Sequence, residues 1–517
     1  MTPIVVSSMG ARMRAVICAV AAAASCQSAS SGGGTGGANG GGTGGTVGTG
    51  GVSSSGGSQG SGGKGSGGIA STTGTGGSPG TGGAGTGGAA VGAGGTPAGT
   101  GGAPASGGSP ASGGATSSGG ASGNGGASAS GGASASGGAA GASAAIVIPR
   151  GGRCTPPTGA KASDTQAAYA KWKQDLLVSD GAGPNGLRVR RPNSGAVLNG
   201  TVSEGIGYGM LIAVYMNDQP TFDGLWNYEQ QFPDQNGLMN WYIGPDRSIQ
   251  GMGGATDGDE DMAFALLLAD KRWGGKGSLS QTYLSYATSL INLIWQFEID
   301  HTRNDVPTPG DLGGGGGSVI NISYFAPAFY RAFGRATNQQ ANWNRVVATC
   351  YTVLAATLNA ANKNQTNGLV PAWSTPAGVP MARPNTADPT YHQLDSCRTP
   401  FRLAEDYCWN AEPKAQSYLA LISSFYQTKG AANILDGYNL DGTDHPGAAS
   451  VGNQTAAFVG PAGVGAMASA TFATLRDQAY AGVATLNELA GSQYYNESWT
   501  VLSLLMMTGM MDDLTLP

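Results

Sequence analysis

Four acidic residues stand within five consecutive positions of this 517-residue chain. They are Asp257, Asp259, Glu260 and Asp261, and an apolar run that predicts a helix begins directly after them, near Met262. Carboxylates at a helix N-terminus interact favourably with the positive end of the helix dipole, so part of the cluster needs only a structural explanation. In a chain with only 11% charged residues, so dense a cluster also indicates a place for acid/base chemistry.

Two structural explanations of this cluster account for only part of it. Its alternating aspartates resemble the start of a calcium-binding loop, but Met262 and Leu268 stand where that loop requires glycine and glutamate. We therefore exclude an EF-hand. Helix capping by Thr256 or Asp257 explains one or two of the acids, but not four.

A second candidate carboxylate is Glu204, in the segment Val202-Ser-Glu-Gly-Ile-Gly-Tyr-Gly-Met210. Ser203 is able to cap a helix, and Glu204 would then lie in the first helical turn for structural reasons alone. Three glycines beside one carboxylate, however, let backbone or a ligand approach it closely. We favour a functional role for Glu204.

A third candidate is Asp395, which precedes Arg398 by three positions and Pro400 by five. Taken alone, this spacing indicates an ion pair on a helix surface, and Pro400 is typical of a helix start.

Trp241 is a candidate platform for a sugar ring, because the faces of pyranose rings are apolar and stack on aromatic side chains. A lone tryptophan is otherwise more often a core residue.

The first 150 residues have the composition of a leader followed by a linker. Arg12 and Arg14 precede an apolar run and the small residues before Cys26, which predicts a secretory signal over residues 1–26. The run is too short to span a bilayer. Cys26 also ends a sequence similar to a lipoprotein box, so lipid attachment at Cys26 and ordinary signal cleavage both stay open.

Residues 27–150 are almost entirely Gly, Ser, Ala and Thr, with Lys64 as their only charge before Arg150. Such a segment does not bury enough apolar surface to offset its ordering entropy, and we predict a disordered linker. Residues 151–517 then form the folded domain.

The predicted domain carries all 31 acidic residues of the chain, and only Arg12, Arg14, Lys64 and Arg150 of the 26 basic ones lie outside it. This excess of acid argues against nucleic acid or an anionic membrane as a partner.

The four cysteines of the domain permit two disulfides, but their spacing does not assign the pairs. They are Cys154, Cys350, Cys397 and Cys408. With three histidines and no metal-binding motif, we predict neither a metal nor a cofactor.

Apolar residues recur at helical spacing throughout the domain, whereas alternating strand patterns are nearly absent. The pattern predicts an all-α domain, and many paired helices without heptads favour a closed helical toroid. The predicted helices are Tyr169–Leu177, Glu204–Met216, Met262–Trp273, Leu279–Phe297, Ala326–Phe333, Trp343–Ala360, Pro413–Tyr426, Arg476–Leu489 and Tyr495–Met510.

Together the motifs resemble glycoside hydrolase family 8, the family of bacterial endo-β-1,4-glucanases. The segment Ala255–Trp273 fits the signature of that family over nineteen residues. The Ser-Glu-Gly-Ile-Gly-Tyr-Gly-Met segment resembles its general-acid motif, and Asp-Ser-Cys-Arg resembles its general-base motif. Asn321–Pro327 and Tyr494–Leu505 also look like family segments.

The resemblance implies an (α/α)6 barrel with an open cleft, and an enzyme that hydrolyses internal β-1,4 linkages of a polysaccharide with inversion. Separately, we expect a monomer. It implies Glu204 as the general acid and Asp395 as the general base. Asp257 would hold and distort the sugar at the cleavage point, Tyr324 and Arg398 would support the site, and Trp241 would stack a sugar. All of these residue roles are expectations that the resemblance implies.

The substrate stays open at this point. Leu394 stands where the family often has an aromatic residue before the base, so some sugar contacts are expected to differ. Cellulose or another β-1,4-glucan is the preferred substrate. Xylan, chitosan or lichenan on the same barrel, and a non-catalytic sugar-binding surface protein, are the alternatives. We expect a secreted protein or one anchored at the cell surface as an outer-membrane lipoprotein.

Overall fold

The computed structural model describes residues 153–193, 195–312, 316–382, 390–446, 456–486 and 493–517. Over these residues it has twelve α-helices and seven strands of two or three residues. The helices are α1 (Ala162–Leu176), α2 (Ser203–Tyr215), α3 (Gln219–Glu229), α4 (Thr256–Arg272), α5 (Tyr283–Phe297), α6 (Pro327–Thr337), α7 (Gln340–Thr357), α8 (Thr399–Asn410), α9 (Pro413–Lys429), α10 (Ala456–Ala466), α11 (Ala473–Leu486) and α12 (Tyr494–Met507). The strands are β1 (Leu177–Val178), β2 (Arg188–Val189), β3 (Thr201–Val202), β4 (Tyr242–Ile243), β5 (Ile249–Gly251), β6 (Ile299–Asp300) and β7 (Val306–Pro307).

The even-numbered helices form a closed inner ring. Each packs against the next even-numbered helix along the chain, and α12 packs back against α2. Each odd-numbered helix packs outside this ring, α1 against α12 and the others against the even-numbered helix that precedes them. The predicted all-α (α/α)6 barrel is confirmed. The short strands pair as β1–β2, β3–β4–β5 and β6–β7, all antiparallel.

Aromatic side chains fill the space inside the ring. Phe264 of α4 stacks on Phe329 of α6 with ring centroids 4.0 Å apart, and Trp409 of α8 lies 5.9 Å from Phe264. All three rings are buried, so the barrel has a packed core. The polar residues of the site lie at the helix ends, outside this core.

Each of the nine predicted helices overlaps one helix of the structure, and Pro400 lies in the first turn of α8 as predicted. Helices α3 and α10 were not predicted. The main correction concerns α4, which begins at Thr256 and not near Met262, so the acidic cluster is helical.

The predicted helix caps are wrong. The N-cap of α4 is Ala255, and not Thr256 or Asp257. The N-cap of α2 is Val202, and not Ser203. Neither cap makes a side-chain hydrogen bond to its helix. At α2 the Ser203 N–H instead donates to the Trp241 carbonyl at 2.9 Å, because β3 and β4 bring that segment alongside.

One of the two permitted disulfides forms. Cys154 is bonded to Cys408 of α8, and this bond ties the start of the described chain to an inner helix. Cys350 and Cys397 are buried free thiols. The predicted signal (1–26), with Cys26, and the predicted linker (27–150) lie outside the described residues.

Within the described part of the chain, no helix combines the length and the apolar character that crossing a membrane requires.

Candidate active site

The candidate residues meet where the N-termini of several inner helices come together. Glu204 and Asp257 lie in the first turns of α2 and α4. Arg398 is the N-cap of α8, and Tyr494 is the first residue of α12. Helix N-termini carry partial positive charge, so this arrangement favours carboxylates and other anionic oxygens at the site.

Arg398 joins two of the candidate carboxylates. Its Nη1 lies 2.7 Å from Glu204 Oε2 and 2.6 Å from Asp257 Oδ2, and the arginine side chain is only 1% exposed. Its guanidinium also lies 4.9 Å from the centre of the Tyr324 ring. The ion pair predicted on a helix surface is therefore wrong, because Arg398 is buried and its carboxylate partners come from α2 and α4.

Glu204 is the one residue of α2 that is not buried. Its side chain is 19% exposed. While Arg398 contacts Oε2, the Tyr494 hydroxyl donates a hydrogen bond of 2.6 Å to Oε1. The carboxyl is thus held at both oxygens and still reaches the surface, which is the geometry required of a group that exchanges a proton with a bound molecule.

The glycines near Glu204 let the helix backbones approach closely. A Cβ at Gly258 of α4 would lie 2.8 Å from the Glu204 nitrogen, and a Cβ at Gly207 would lie 2.8 Å from the Asp261 Cβ. A Cβ at Gly205 would lie 3.0 Å from the Tyr494 ring. The glycines therefore bring α2, α4 and α12 together at the carboxylates.

Asp257 is buried beside this pair. Burial raises the pKa of its carboxyl to about 7, while the positive charge of Arg398 opposes the rise and the negative charge of Glu204 adds to it. Its Oδ1 accepts a hydrogen bond of 3.0 Å from the Gly258 N–H. A carboxyl with this pKa changes its charge near neutral pH.

Asp395 lies half-buried in the turn that leads into α8. The Trp373 Nε1–H donates to its Oδ2 at 3.3 Å. The Ser323 hydroxyl donates to the Asp395 carbonyl and accepts a hydrogen bond of 3.1 Å from Arg398 Nε. Ser323 therefore connects the Asp395 backbone to the same guanidinium that holds Glu204 and Asp257.

The two aromatic candidates have different surroundings. Tyr324 precedes α6, and its ring lies between Arg398 and Trp373, 6.0 Å from the latter. Trp241 is half-buried next to β4, and its ring lies against Gly251, where a Cβ would be 2.3 Å from the indole. Its backbone hydrogen bond to Ser203 links Trp241 to the residue before Glu204.

The other acids of the cluster have structural partners deeper in the barrel. Asp261 pairs with Arg402 at 2.6 Å, and Glu260 accepts a hydrogen bond of 2.7 Å from Tyr330. Asp259 interacts with Glu298, and burial raises the pKa values of both carboxyls. Of the four clustered acids, Asp257 alone contacts Glu204's partner Arg398.

Sequence reasoning did not single out Tyr494, Ser323, Trp373 or Tyr208 as site residues. Tyr208 accepts a hydrogen bond of 3.1 Å from Arg398 Nη1. Three of the four do lie in segments that resemble the family, so those segments were the available signal. Trp373 lies in no such segment, and only the fold brings it to Asp395.

Comparison with known proteins shows the family to which the chain belongs. The model of the family described as "Glycosyl hydrolases family 8" matches residues 158–509, which is more than half of the chain. The chain belongs to glycosyl hydrolase family 8. The protein is accordingly a glycoside hydrolase.

Relatives in this family include proteins named as glucanases. The chain is 35% identical over 348 residues to "Endoglucanase A" of Acetivibrio thermocellus, and the aligned region covers 66% of this chain and 69% of the relative. It is 36% identical over 381 residues to "Endoglucanase 2" of Ruminiclostridium josui, and the aligned region covers 71% of this chain and 78% of the relative.

A solved structure supports the fold over the same region. The apo structure of a β-1,3-1,4-glucanase from Paenibacillus sp. X4 aligns with a TM-score of 0.62 and 28% identity, covering 71% of this chain and 99% of that one. The xylose complex of Rex8A from Paenibacillus barcinonensis aligns with a TM-score of 0.57 at 18% identity, which shows the same fold.

Proposed function

We propose that this family 8 protein is an inverting endo-glycosidase that hydrolyses internal β-1,4 linkages of a glucan. The observation that carries the proposal is the link through Arg398, which joins Glu204 and Asp257 directly and the Asp395 segment through Ser323. We infer that the carboxyls of Glu204 and Asp257, at two helix N-termini, and that of Asp395, in the turn before α8, serve one site. The names of the relatives, endoglucanase and β-glucanase, support a glucan as substrate.

In the proposed reaction Glu204 donates a proton to the glycosidic oxygen as the bond breaks. Its partial exposure gives it access to the polysaccharide, and Tyr494 and Arg398 fix its orientation. Proton transfer from a positioned carboxyl is the step that general acid catalysis requires.

Asp395 accepts a proton from the water that attacks the anomeric carbon. Trp373 holds one oxygen of the carboxylate, and the half-buried turn leaves Asp395 within reach of solvent. An inverting enzyme places its two carboxyls roughly 6.5–9.5 Å apart so that this water fits between base and sugar. Glu204 contacts Arg398 directly at Nη1, whereas the Asp395 backbone reaches Arg398 Nε only through the Ser323 hydroxyl.

The remaining site residues position the sugar. Asp257, held by Arg398, would bind a hydroxyl of the sugar at the cleavage point and help distort the ring. Tyr324 would support this region from beneath the guanidinium. Trp241 would stack a neighbouring sugar on its exposed surface, since aromatic rings bind the apolar faces of pyranoses.

A panel of polysaccharides tests the proposal. Release of reducing ends is measured on carboxymethylcellulose, lichenan, xylan and chitosan, with Glu204→Gln and Asp395→Asn as controls. We expect the highest turnover on a β-1,4-linked glucan and its loss in both variants. Binding without release of ends would identify a sugar-binding protein, and turnover confined to xylan or chitosan would contradict the choice of glucan.

We further propose that the protein is secreted or held at the cell surface. The basic and apolar pattern before Cys26 supports this, and so does the Cys154–Cys408 disulfide, because such bonds persist in oxidising compartments. Fractionation of cells that express the full chain, beside a Cys26→Ser variant, tests it. Retention in membranes that is lost in the variant would indicate a lipid anchor. Recovery of the intact chain in the cytosol would contradict export.

A further inference from the structure

A cleft of about 670 Å³ opens on the outer ring of the barrel. Its walls come from the C-terminal end of α5, the turn between β6 and β7, and the middle of α7. The residues that line it and enter the argument are Trp295, His301, Asn304, Asp305, Arg345 and Thr349. Glu204, Asp257 and Arg398, by contrast, lie on or next to the inner helices.

The polar groups of this cleft are fixed in place by one another. Asp305 contacts His301 Nδ1 through Oδ1 at 2.6 Å and accepts from Arg345 Nε through Oδ2 at 2.8 Å. His301 Nε2 lies 2.9 Å from the Trp295 carbonyl. Asn304 and Asp305 are consecutive left-handed residues with φ of 58° and 57°, an uncommon conformation for residues other than glycine. This turn directs the Asp305 carboxylate at both of its partners.

An aromatic ring accompanies these polar groups. Trp295 is half-buried, packs edge-on against the buried Trp343 with ring centroids 5.3 Å apart, and lies 4.5 Å from the His301 ring. The indole is therefore held rigidly at the cleft wall. Arg345 and His301 stay accessible, with side chains 56% and 42% exposed.

This combination fits a neutral sugar chain better than an ion. The Asp305 carboxylate contacts both Arg345 and His301, so the basic side chains of the cleft already have an anionic partner inside the protein. A rigid indole suits the apolar face of a pyranose, and the Asn304 amide and the Arg345 guanidinium at the cleft wall suit its hydroxyls. None of the lining residues is one of the three site carboxyls, so a chain bound here is not cut here.

We propose that the cleft between α5 and α7 is a second carbohydrate-binding site that holds a segment of neutral β-glucan. The choice of glucan rests on the proposed function, whereas the site itself rests on the cleft. Such a site keeps the enzyme on a long polysaccharide between cleavage events without affecting short substrates.

The test uses the full chain and measures retardation in native gels that contain a neutral mixed-linkage β-glucan. Trp295→Ala and Arg345→Ala are compared with wild type. Trp273→Ala is the matched control, because Trp273 is also half-buried and packs edge-on against an aromatic ring, Phe222, at 5.4 Å. Arg345→Ala removes a largely exposed side chain, so it reports on the cleft even where Trp295→Ala destabilises the fold.

We expect Trp295→Ala and Arg345→Ala to weaken retardation roughly threefold to tenfold, the range of one aromatic stacking contact. Turnover of a short chromogenic cello-oligosaccharide should stay at the wild-type value, and Trp273→Ala should bind like wild type. Unchanged retardation in both cleft variants would overturn the proposal. Weakening seen only with the anionic polymer carboxymethylcellulose would overturn it too, since the cleft would then be an anion site.

The same gels separate this proposal from the proposed function. Glu204→Gln alters a carboxyl of the active site and leaves the cleft unchanged. Its retardation should therefore still include the contribution of the cleft, which Arg345→Ala removes. If wild type binds β-glucan through the cleft but releases no reducing ends, the proposed function fails and the cleft stands. If wild type cleaves the glucan and the cleft variants bind normally, the cleft proposal alone fails.

Discussion

At the scale of single residues, the site is organised by one buried arginine. Arg398 contacts Ser323 through Nε, and Glu204, Asp257 and Tyr208 through Nη1. Such a planar donor group fixes several acceptors at once, which a lysine does not reproduce. The carboxyl positions in the proposed mechanism therefore depend on Arg398 as much as on the acids themselves.

Replacement of Glu204 by Gln should lower turnover of a polysaccharide by roughly two to four orders of magnitude, the range of general acid catalysis. The amide keeps the shape of the side chain but has no acidic proton to donate. On an aryl glycoside with a good leaving group the loss should be much smaller, because that group leaves with little protonation. Rates on both substrates measure the effect, and equal losses would exclude an acid role. Glu412→Gln is the matched control, because Glu412, the N-cap of α9, is also paired with an arginine and is 17% exposed.

At the scale of elements, the site depends on the close approach of α2 and α4. Gly258 to Ala should push the two N-termini apart, because the new Cβ would lie 2.8 Å from the backbone of Ser203 and Glu204. Turnover and the melting temperature should both fall. Gly482→Ala in α11 is the matched control, since its Cβ would meet nothing closer than Val459 at 3.6 Å, and alanine favours a helix. Equal behaviour of the two variants would show that the contact is unimportant.

The pairing of α4 with the end of α5 should make stability depend on pH. Burial raises the pKa of Glu298 from its ordinary 4.5 to about 8, and that of Asp259 is raised well above its usual range. The folded state then keeps a proton that the unfolded state releases, so this stabilisation is complete below pH 4.5 and is lost as pH rises towards and through 8. The free energy of unfolding should fall by ~1 kcal/mol per pH unit within this window.

Glu298→Gln removes the titrating group, so urea unfolding between pH 5 and 8 should show a smaller slope in this variant. Asp246→Asn, at a fully exposed acid, should leave the slope as in wild type. A Glu298→Gln protein with the wild-type slope would contradict the assignment.

The elements differed in how well the sequence predicted them. Helices with one apolar face, such as α5 and α7, were predicted close to their observed bounds. Every described residue of α10 is buried and Pro461 lies within it, so it has no polar face to create a helical period. The start of α4 was missed because four acids within five positions indicate a loop, whereas the barrel buries them against Arg398, Arg402, Tyr330 and Glu298. Burial of charge is a property of the assembled fold and not of local sequence.

At the scale of the whole molecule, the closed ring of inner helices brings distant parts of the sequence to one site. Glu204 and Tyr494 are 290 positions apart, and Glu204 and Arg398 are 194 apart. The roles expected of Glu204 and Arg398 were available beforehand only through resemblance to a family, because no local pattern reports which helix N-termini will meet. The partners Ser323 and Trp373 appear only when the ring is closed.

The disulfide between Cys154 and Cys408 should stabilise the whole domain, because it closes a loop of 254 residues in the unfolded chain. Cys154→Ser should lower the free energy of unfolding by about 2–5 kcal/mol. A reducing agent should lower the stability of wild type by a similar amount and leave the variant unchanged. Equal stability of oxidised and reduced wild type would contradict this role.

The central claim, an inverting site that uses Glu204 and Asp395, is tested most directly by the configuration of the first product. Proton NMR of early hydrolysis of a β-linked glucan follows the new reducing ends before they mutarotate. Attack by a water that Asp395 activates on the far face of the sugar predicts α-configured ends. Early β-configured ends would mean retention through a covalent intermediate, and the assignment of Asp395 as a general base would then be contradicted.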